Sequence, residues 1–198
     1  MEENIKIGLF GGTFDPIHNG HLQLANWTKK KLSLNRIIFI PAAIPPHKQH
    51  LILTESKHRY RMVQIAIEEY PGFEISNIEI EKKGVSFTID TIAYYRDQFS
   101  LLRENLYLII GADSLLDFSN WKKPDKIIKN VRLVVLQRPE VDLDKALPKF
   151  RDESIILKSP LIDISATEIR QKVRAGDSIS QFVPQAVEQY INEYGLYR

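Results

Sequence analysis

Ile5-Lys6-Ile7-Gly8-Leu9-Phe10-Gly11-Gly12-Thr13-Phe14-Asp15-Pro16-Ile17-His18-Asn19-Gly20-His21 is the stretch whose reading decides the fold. Ile5–Phe10 is a short apolar run with the length of a buried strand. Two glycines follow at once, and they let the backbone turn tightly and approach a ligand closely. A helical pattern then runs from Gly20 to Lys31. The start of a helix carries unpaired N–H groups and a partial positive charge, which suit a phosphate. His18 and His21 flank that start and add side-chain donors. Pro16 and Gly20 oppose a regular helix through His18, which disfavours the alternative of two metal-binding histidines on one helical face.

Outward from this unit, short apolar runs alternate with longer helical patterns. The sequence predicts strands at Arg36–Ile40, Phe73–Ile80, Leu106–Ile110, Arg132–Leu136 and Ile155–Leu157. It predicts helices from a Thr54 cap to about Glu69, over Phe87–Phe99, over Ser165–Ala175 and over Pro184–Tyr194. Parallel strands need crossover connections, so this order implies an α/β protein with a mostly parallel, doubly wound sheet and C-terminal helices. No repeat, low-complexity segment or long linker divides the chain, and one domain over residues 1–198 is expected.

Four further segments sit just after a predicted strand or at a helix start. Pro41-Ala42-Ala43-Ile44-Pro45-Pro46-His47-Lys48 is stiffened by its prolines, which lowers the entropy cost of holding Lys48 as a point charge. A solvated proline-rich loop is the competing reading. Phe87-Thr88-Ile89-Asp90-Thr91 opens a helix, where Thr88 serves equally as a cap or as a contact. Gly111-Ala112-Asp113 follows the most apolar strand, and Trp121 beyond it offers a flat face to an aromatic ring or to the core. Ile164-Ser165-Ala166-Thr167-Glu168-Ile169-Arg170 is a capping-box pattern. It is also a second helix start able to face phosphate, with Arg170 adding a fork of donors. Ligands of open parallel sheets bind at the carboxyl ends of the strands, where these segments converge.

The chain has 198 residues, 43% hydrophobic and 26% charged, with a net charge of +2. So small a positive balance disfavours a nucleic-acid binder. Cysteine is absent, which excludes disulfides, thiolate metal sites and a cysteine nucleophile in this chain. No stretch approaches the roughly 20 apolar residues of a membrane span, and Met1–Lys6 lacks the apolar run of a signal peptide. The expectation is a cytoplasmic protein with no membrane or nucleic-acid partner.

Gly11–His21 resembles the T/HxGH signature of the nucleotidyltransferase superfamily. In the form GGTFDPIHxGH it is most similar to the bacterial nicotinate-nucleotide adenylyltransferases. Their PxxxPPHK, [FY]TxDT, GxDxxxxxxxW and ISSTxIR segments have counterparts here, so the resemblance covers about Lys6 to Arg174. It departs at Ala166, where the family has a second serine, and at Glu140, where the Arg-Pro-Gly segment becomes Arg138-Pro139-Glu140.

The resemblance implies a Rossmann-like fold and adenylyl transfer from ATP to nicotinic acid mononucleotide, giving deamido-NAD and pyrophosphate. It implies catalytic roles for His18, His21, Lys48 and Arg170. ATP contacts fall to Gly11, Gly12, Thr13, Phe14, Gly111, Asp113, Ser165 and Thr167, and pyridine-nucleotide contacts to Thr88 and Trp121. Arg138 receives no role. Mg²⁺ is expected, held mainly by ATP phosphates and water, with no metal site built from side chains. Phosphopantetheine adenylyltransferases share the first motif but not the later set. A non-catalytic nucleotide sensor would not need both histidines, Lys48 and Arg170. The residues leave open the choice between acid and amide mononucleotide, and whether copies of the chain associate.

Overall fold

The computed structural model describes residues 5–45 and 53–198. Six strands form one sheet there: β1 (Ile7–Gly12), β2 (Arg36–Pro41), β3 (Phe73–Ile75), β4 (Leu106–Gly111), β5 (Arg132–Gln137) and β6 (Ile155–Lys158). Their order is β3-β2-β1-β4-β5-β6, and every neighbouring pair is parallel. The predicted "mostly parallel" sheet is thus wholly parallel among the described residues. This is the Rossmann-like order, whose strand sequence reverses direction between β1 and β4. The two strands diverge at that point, and a crevice opens beyond their carboxyl ends.

Alternation along the strands assigns side chains to two faces. Phe10, Ile37, Phe39, Tyr107, Ile109 and Val134 pack on one face. They meet helices α1 (Asn19–Lys31) and α2 (Ser56–Ile67). Ile7, Leu9, Ile38, Ile40, Leu108 and Val135 pack on the other face. Covering them are residues from α3 (Ile78–Lys82), α4 (Thr88–Phe99), α5 (Ala112–Leu116), α6 (Pro124–Asn130) and α7 (Pro148–Arg151). The last helices, α8 (Ala166–Ala175) and α9 (Gln185–Glu193), return Ile169, Val187 and Ile191 to the α1 and α2 face. Both faces are dry, as a parallel sheet requires.

Two sequence expectations are corrected. The strand predicted over Phe73–Ile80 ends at Ile75, and Ile78–Lys82 is a helix. Ser76 and Asn77 break the run: Ser76 Oγ accepts the Ile78 amide at 3.3 Å, and Asn77 Nδ2 donates to Glu81 Oε1 at 2.6 Å. These local bonds offer the backbone an alternative to the sheet ladder. Thr54 does not cap α2, whose first flanking residue is Glu55. The Thr54 amide instead donates to Asp15 Oδ2 at 3.2 Å, and its carbonyl accepts Arg59 Nε at 2.9 Å. By contrast Ser165 caps α8, its Oγ accepting the Glu168 amide at 3.1 Å.

Candidate active site

Two cavities open along the carboxyl edge of the sheet, one on each side of the reversal between β1 and β4. The first, about 330 Å³, is walled by Gly11, Gly12, Thr13, Thr88, Trp121 and Gly111 among others. The second, about 530 Å³, is lined by His21, Gly111, Arg138 and the 159–163 segment. Phe10 and Gly111 line both. A Cβ built on Gly111 meets nothing within 4 Å, so its backbone stands open at the junction. Two ligands laid one in each cavity would meet end to end there.

The first motif forms the wall between them. Phe14 is buried, with φ +48°, and its ring packs edge-on to Phe10 at 5.8 Å and to His21 at 5.1 Å. Its place is structural: it holds the turn down onto the sheet. α1 begins at Asn19, with His18 as the flanking residue. The two imidazoles stack, centroids 3.6 Å apart and 28° from parallel. His21 Nδ1 accepts the His18 amide at 3.3 Å. That bond places the proton of a neutral His21 on Nε2. Gly20 keeps the space between them tight, since a Cβ there would lie 3.0 Å from His18 Nδ1 and 3.2 Å from Ile162 Cγ2 and would push those side chains aside.

His18 is 6% exposed, and its Nδ1 is buried with no hydrogen-bond partner among the described residues. Burial, and after it the positive charge of Arg138, push its pKa down to about 4. In the ligand-free protein at neutral pH the ring is therefore uncharged. A buried polar atom left unsatisfied is costly and calls for a reason.

The amides at the start of α1 are less available than the sequence suggests. The His18 amide is spent on His21, and the Asn19 amide donates to the Phe182 carbonyl at 2.8 Å. The His21 amide closes a tight turn onto the His18 carbonyl at 3.0 Å.

The other predicted residues divide. Thr88 opens α4 on the wall of the first cavity, and Trp121 lines the same cavity, braced by Phe118 at 5.1 Å between centroids. Asp113 is exposed in the first turn of α5 and lines neither cavity; its neighbour Ser114 lines the first. Ser165 and Thr167 stand at the start of α8, outside both linings. Arg170 is turned toward the first motif: Nη1 donates to the Asp15 carbonyl at 2.8 Å, and Nη2 to Thr167 Oγ1 at 3.3 Å. Lys48 lies outside the described residues.

Sequence reasoning passed over three residues that the fold brings to the site. Arg138, set aside because its motif is broken at Glu140, lines the second cavity and acts electrostatically on His18. Its position directly after β5 was the available signal. Glu79 lines the first cavity, where its Oε1 accepts the Thr91 hydroxyl at 2.7 Å and burial raises its pKa. It was hidden by the reading of 73–80 as a strand. Arg59, 1% exposed, gave no sequence signal at all.

A crevice at the reversal of a parallel sheet, with a glycine turn and paired histidines, defines a nucleotide-binding α/β protein. The family model described as cytidylyltransferase-like matches residues 9–172. A Clostridium tetani protein named probable nicotinate-nucleotide adenylyltransferase is 44% identical over 98% of this chain and 99% of its own length. One of the same name from Thermoanaerobacter sp. is 40% identical over 100% and 97%. This chain belongs to the cytidylyltransferase-like family, within its nicotinate-nucleotide adenylyltransferase branch. The Plasmodium falciparum nicotinic acid mononucleotide adenylyltransferase complexed with NaAD has the same fold. Its TM-score is 0.79 at 18% identity, with 98% of this chain and 97% of that one covered.

Proposed function

We propose that this protein, acting as one nucleotidyltransferase domain, moves the adenylyl group of ATP onto nicotinic acid mononucleotide. The products are deamido-NAD, an intermediate of NAD biosynthesis, and pyrophosphate. The observation that carries the reading is the pair of cavities sharing Phe10 and Gly111 at the sheet reversal. A dinucleotide is two mononucleotides joined through phosphates, and this site has two chambers joined at one point.

The first cavity takes the mononucleotide. Trp121 presents its face to the pyridine ring and Thr88 a hydroxyl to its polar edge. The second cavity takes the adenosine of ATP, with its triphosphate running past His21 and Arg138 over the Gly11–Phe14 turn.

A phosphate oxygen of the mononucleotide attacks the α-phosphorus. The bond from that phosphorus to the oxygen bridging to the β-phosphate breaks, and its electron pair leaves with pyrophosphate. The attacking oxygen is already anionic at neutral pH, so no general base is needed. The protein's task is to align two anions and to stabilise the charge building on the leaving group.

His21 offers its Nε2 proton to that charge. His18 holds an unsatisfied nitrogen ready, and an arriving triphosphate favours its charged form. Arg170 fixes the turn through Asp15 and faces the triphosphate with its remaining donors, and Lys48 adds a cation by the family pattern. Ser165 and Thr167 at the α8 start and Asp113 at the α5 start complete the ATP contacts once ligand is bound.

ATP brings Mg²⁺ on its own oxygens, neutralising part of the triphosphate charge. Among the described residues no group of three or more His, Asp or Glu side chains comes together as a cage. No described helix is long and apolar enough to cross a membrane. The cytoplasm is the proposed location.

Pyrophosphate release from ATP and Mg²⁺ tests the reading, with acid mononucleotide, amide mononucleotide and phosphopantetheine supplied in turn. Release with the acid form alone is the expected result. Comparable release with both pyridine forms would keep the chemistry and broaden the acceptor. Release only with phosphopantetheine, or none at all while ATP still binds, would overturn it.

A further inference from the structure

Behind the cavity walls lies a polar network whose Asp15, Arg59 and Tyr197 line neither cavity. Asp15, 4% exposed, spends both carboxylate oxygens and its carbonyl on long-range partners. Its Oδ1 accepts the Tyr197 hydroxyl at 2.7 Å, and its Oδ2 the Thr54 amide at 3.2 Å. Its carbonyl accepts Arg170 Nη1 at 2.8 Å. Beside it the Arg59 guanidinium is forked across three carbonyls: Thr13 through Nη1 at 2.7 Å, Ala43 through Nη2 at 3.0 Å and Thr54 through Nε at 2.9 Å.

These partners come from five places in the chain, Arg170 among them in α8. Thr13 belongs to the turn after β1 and Ala43 to the segment after β2. Thr54 precedes α2, and Tyr197 follows α9. Burying a guanidinium and a carboxylate is expensive, and a hydrophobic pair of similar volume is often no less stable. What such a pair supplies is direction: a planar fork meets three carbonyls in one geometry only.

We infer that Asp15, Arg59 and Tyr197 are positioning residues that fix the turn carrying His18 against the segment flanking the mononucleotide cavity. The inference rests on the adenylyl-transfer reading for its kinetic consequence, but not for its geometry. Thr13, Ala42 and Pro45 line the first cavity, while His18 lies three residues beyond Asp15 and feels the charge of Arg138, which lines the second. Arg59 and Asp15 therefore set the separation between the two substrates. An error of about 1 Å in such a separation costs roughly a hundredfold in rate, with little change in the binding of either partner.

Tyr197→Phe removes one oxygen and keeps the ring. Arg59→Lys keeps the charge and loses the fork. Each is measured for kcat, for both KM values and for Tm, with assays run well below the Tm of the variant. The expected result is a fall in kcat of about tenfold or more in each, with both KM values within about threefold of wild type. Tyr197→Phe combined with Asp15→Asn should be no slower than Asp15→Asn alone, because the two act through one bond. Unchanged kcat in folded Tyr197→Phe and Arg59→Lys protein, whatever their Tm, would overturn the inference.

NMR titration of the His18 imidazole supplies a readout that needs no turnover. Its pKa should climb from about 4 toward the ordinary 6.5 in Tyr197→Phe as the turn loosens. If the wild-type protein released no pyrophosphate, the functional reading would fail. An unmoved His18 titration would then overturn the positioning inference separately.

Discussion

His18 and His21 show how much of a residue's chemistry its immediate neighbours decide. Their spacing is plain in the sequence, yet the stacked imidazoles, the tautomer of His21 and the uncharged state of His18 are set by contacts. Replacing His21 by alanine removes a donor aimed at developing charge. We expect kcat to fall by about two orders of magnitude, with little change in ATP affinity; steady-state kinetics at saturating substrates checks this. Trp121 makes the complementary case. Trp121→Ala should raise KM for the mononucleotide several-fold more than KM for ATP, since the ring lines only the first cavity. Equal rises for both substrates would take Trp121 out of the pyridine pocket. Arg138 carries the lesson in reverse: a broken motif hid it, but its place after β5 put it beside His18 regardless.

The elements were legible where one signal dominated. The four central strands, β1, β2, β4 and β5, are nearly continuous apolar runs, as burial on both faces demands, and their expected and observed bounds agree within two residues. Helix α8 was legible from its cap, and the cap can be tested. Ser165→Ala should cost about 1 kcal/mol of stability in urea unfolding, because the Glu168 amide loses its acceptor. It should also weaken ATP if the start of α8 faces the triphosphate, which an isothermal titration would read separately. The failures came where two periods fitted the same residues. Ile75 and Ile78 are spaced as on a helix and Ile78 and Ile80 as on a strand, and Ser76 and Asn77 decided the matter through bonds to their own neighbours. Thr54 looked like a helix cap. Its backbone was claimed by Asp15 and Arg59, groups 39 residues back and 5 residues ahead, and no local rule anticipates the first.

At the scale of the molecule, burying His18 ties stability to pH. The unfolded chain protonates this imidazole below its ordinary 6.5, whereas the folded chain resists until about 4. The unfolded state thus binds more protons between those values, and stability falls as the pH drops through that window. The loss amounts to about 3 kcal/mol once the pH is below both values. Urea unfolding of wild type and His18→Gln at pH 7 and pH 4 isolates it. The wild type should lose more stability than the variant by roughly that amount, and equal losses would mean that the His18 ring is solvated.

The sequence by itself determined the class of fold and the chemistry to look for. Strand-length apolar runs separated by helical periods admit little besides a parallel α/β sheet. The eleven residues from Gly11 to His21 bring a turn, two imidazoles and a helix start together within one local unit. Only the tertiary structure decided that the sheet reverses between β1 and β4, so that two cavities share Gly111. It alone brought Arg59, Asp15, Arg170 and Tyr197 together across as many as 182 residues. Local periodicity fixes the faces of strands and helices. Which distant polar groups meet behind the site follows from packing those faces, and a buried hydrogen bond leaves no periodic trace in the chain.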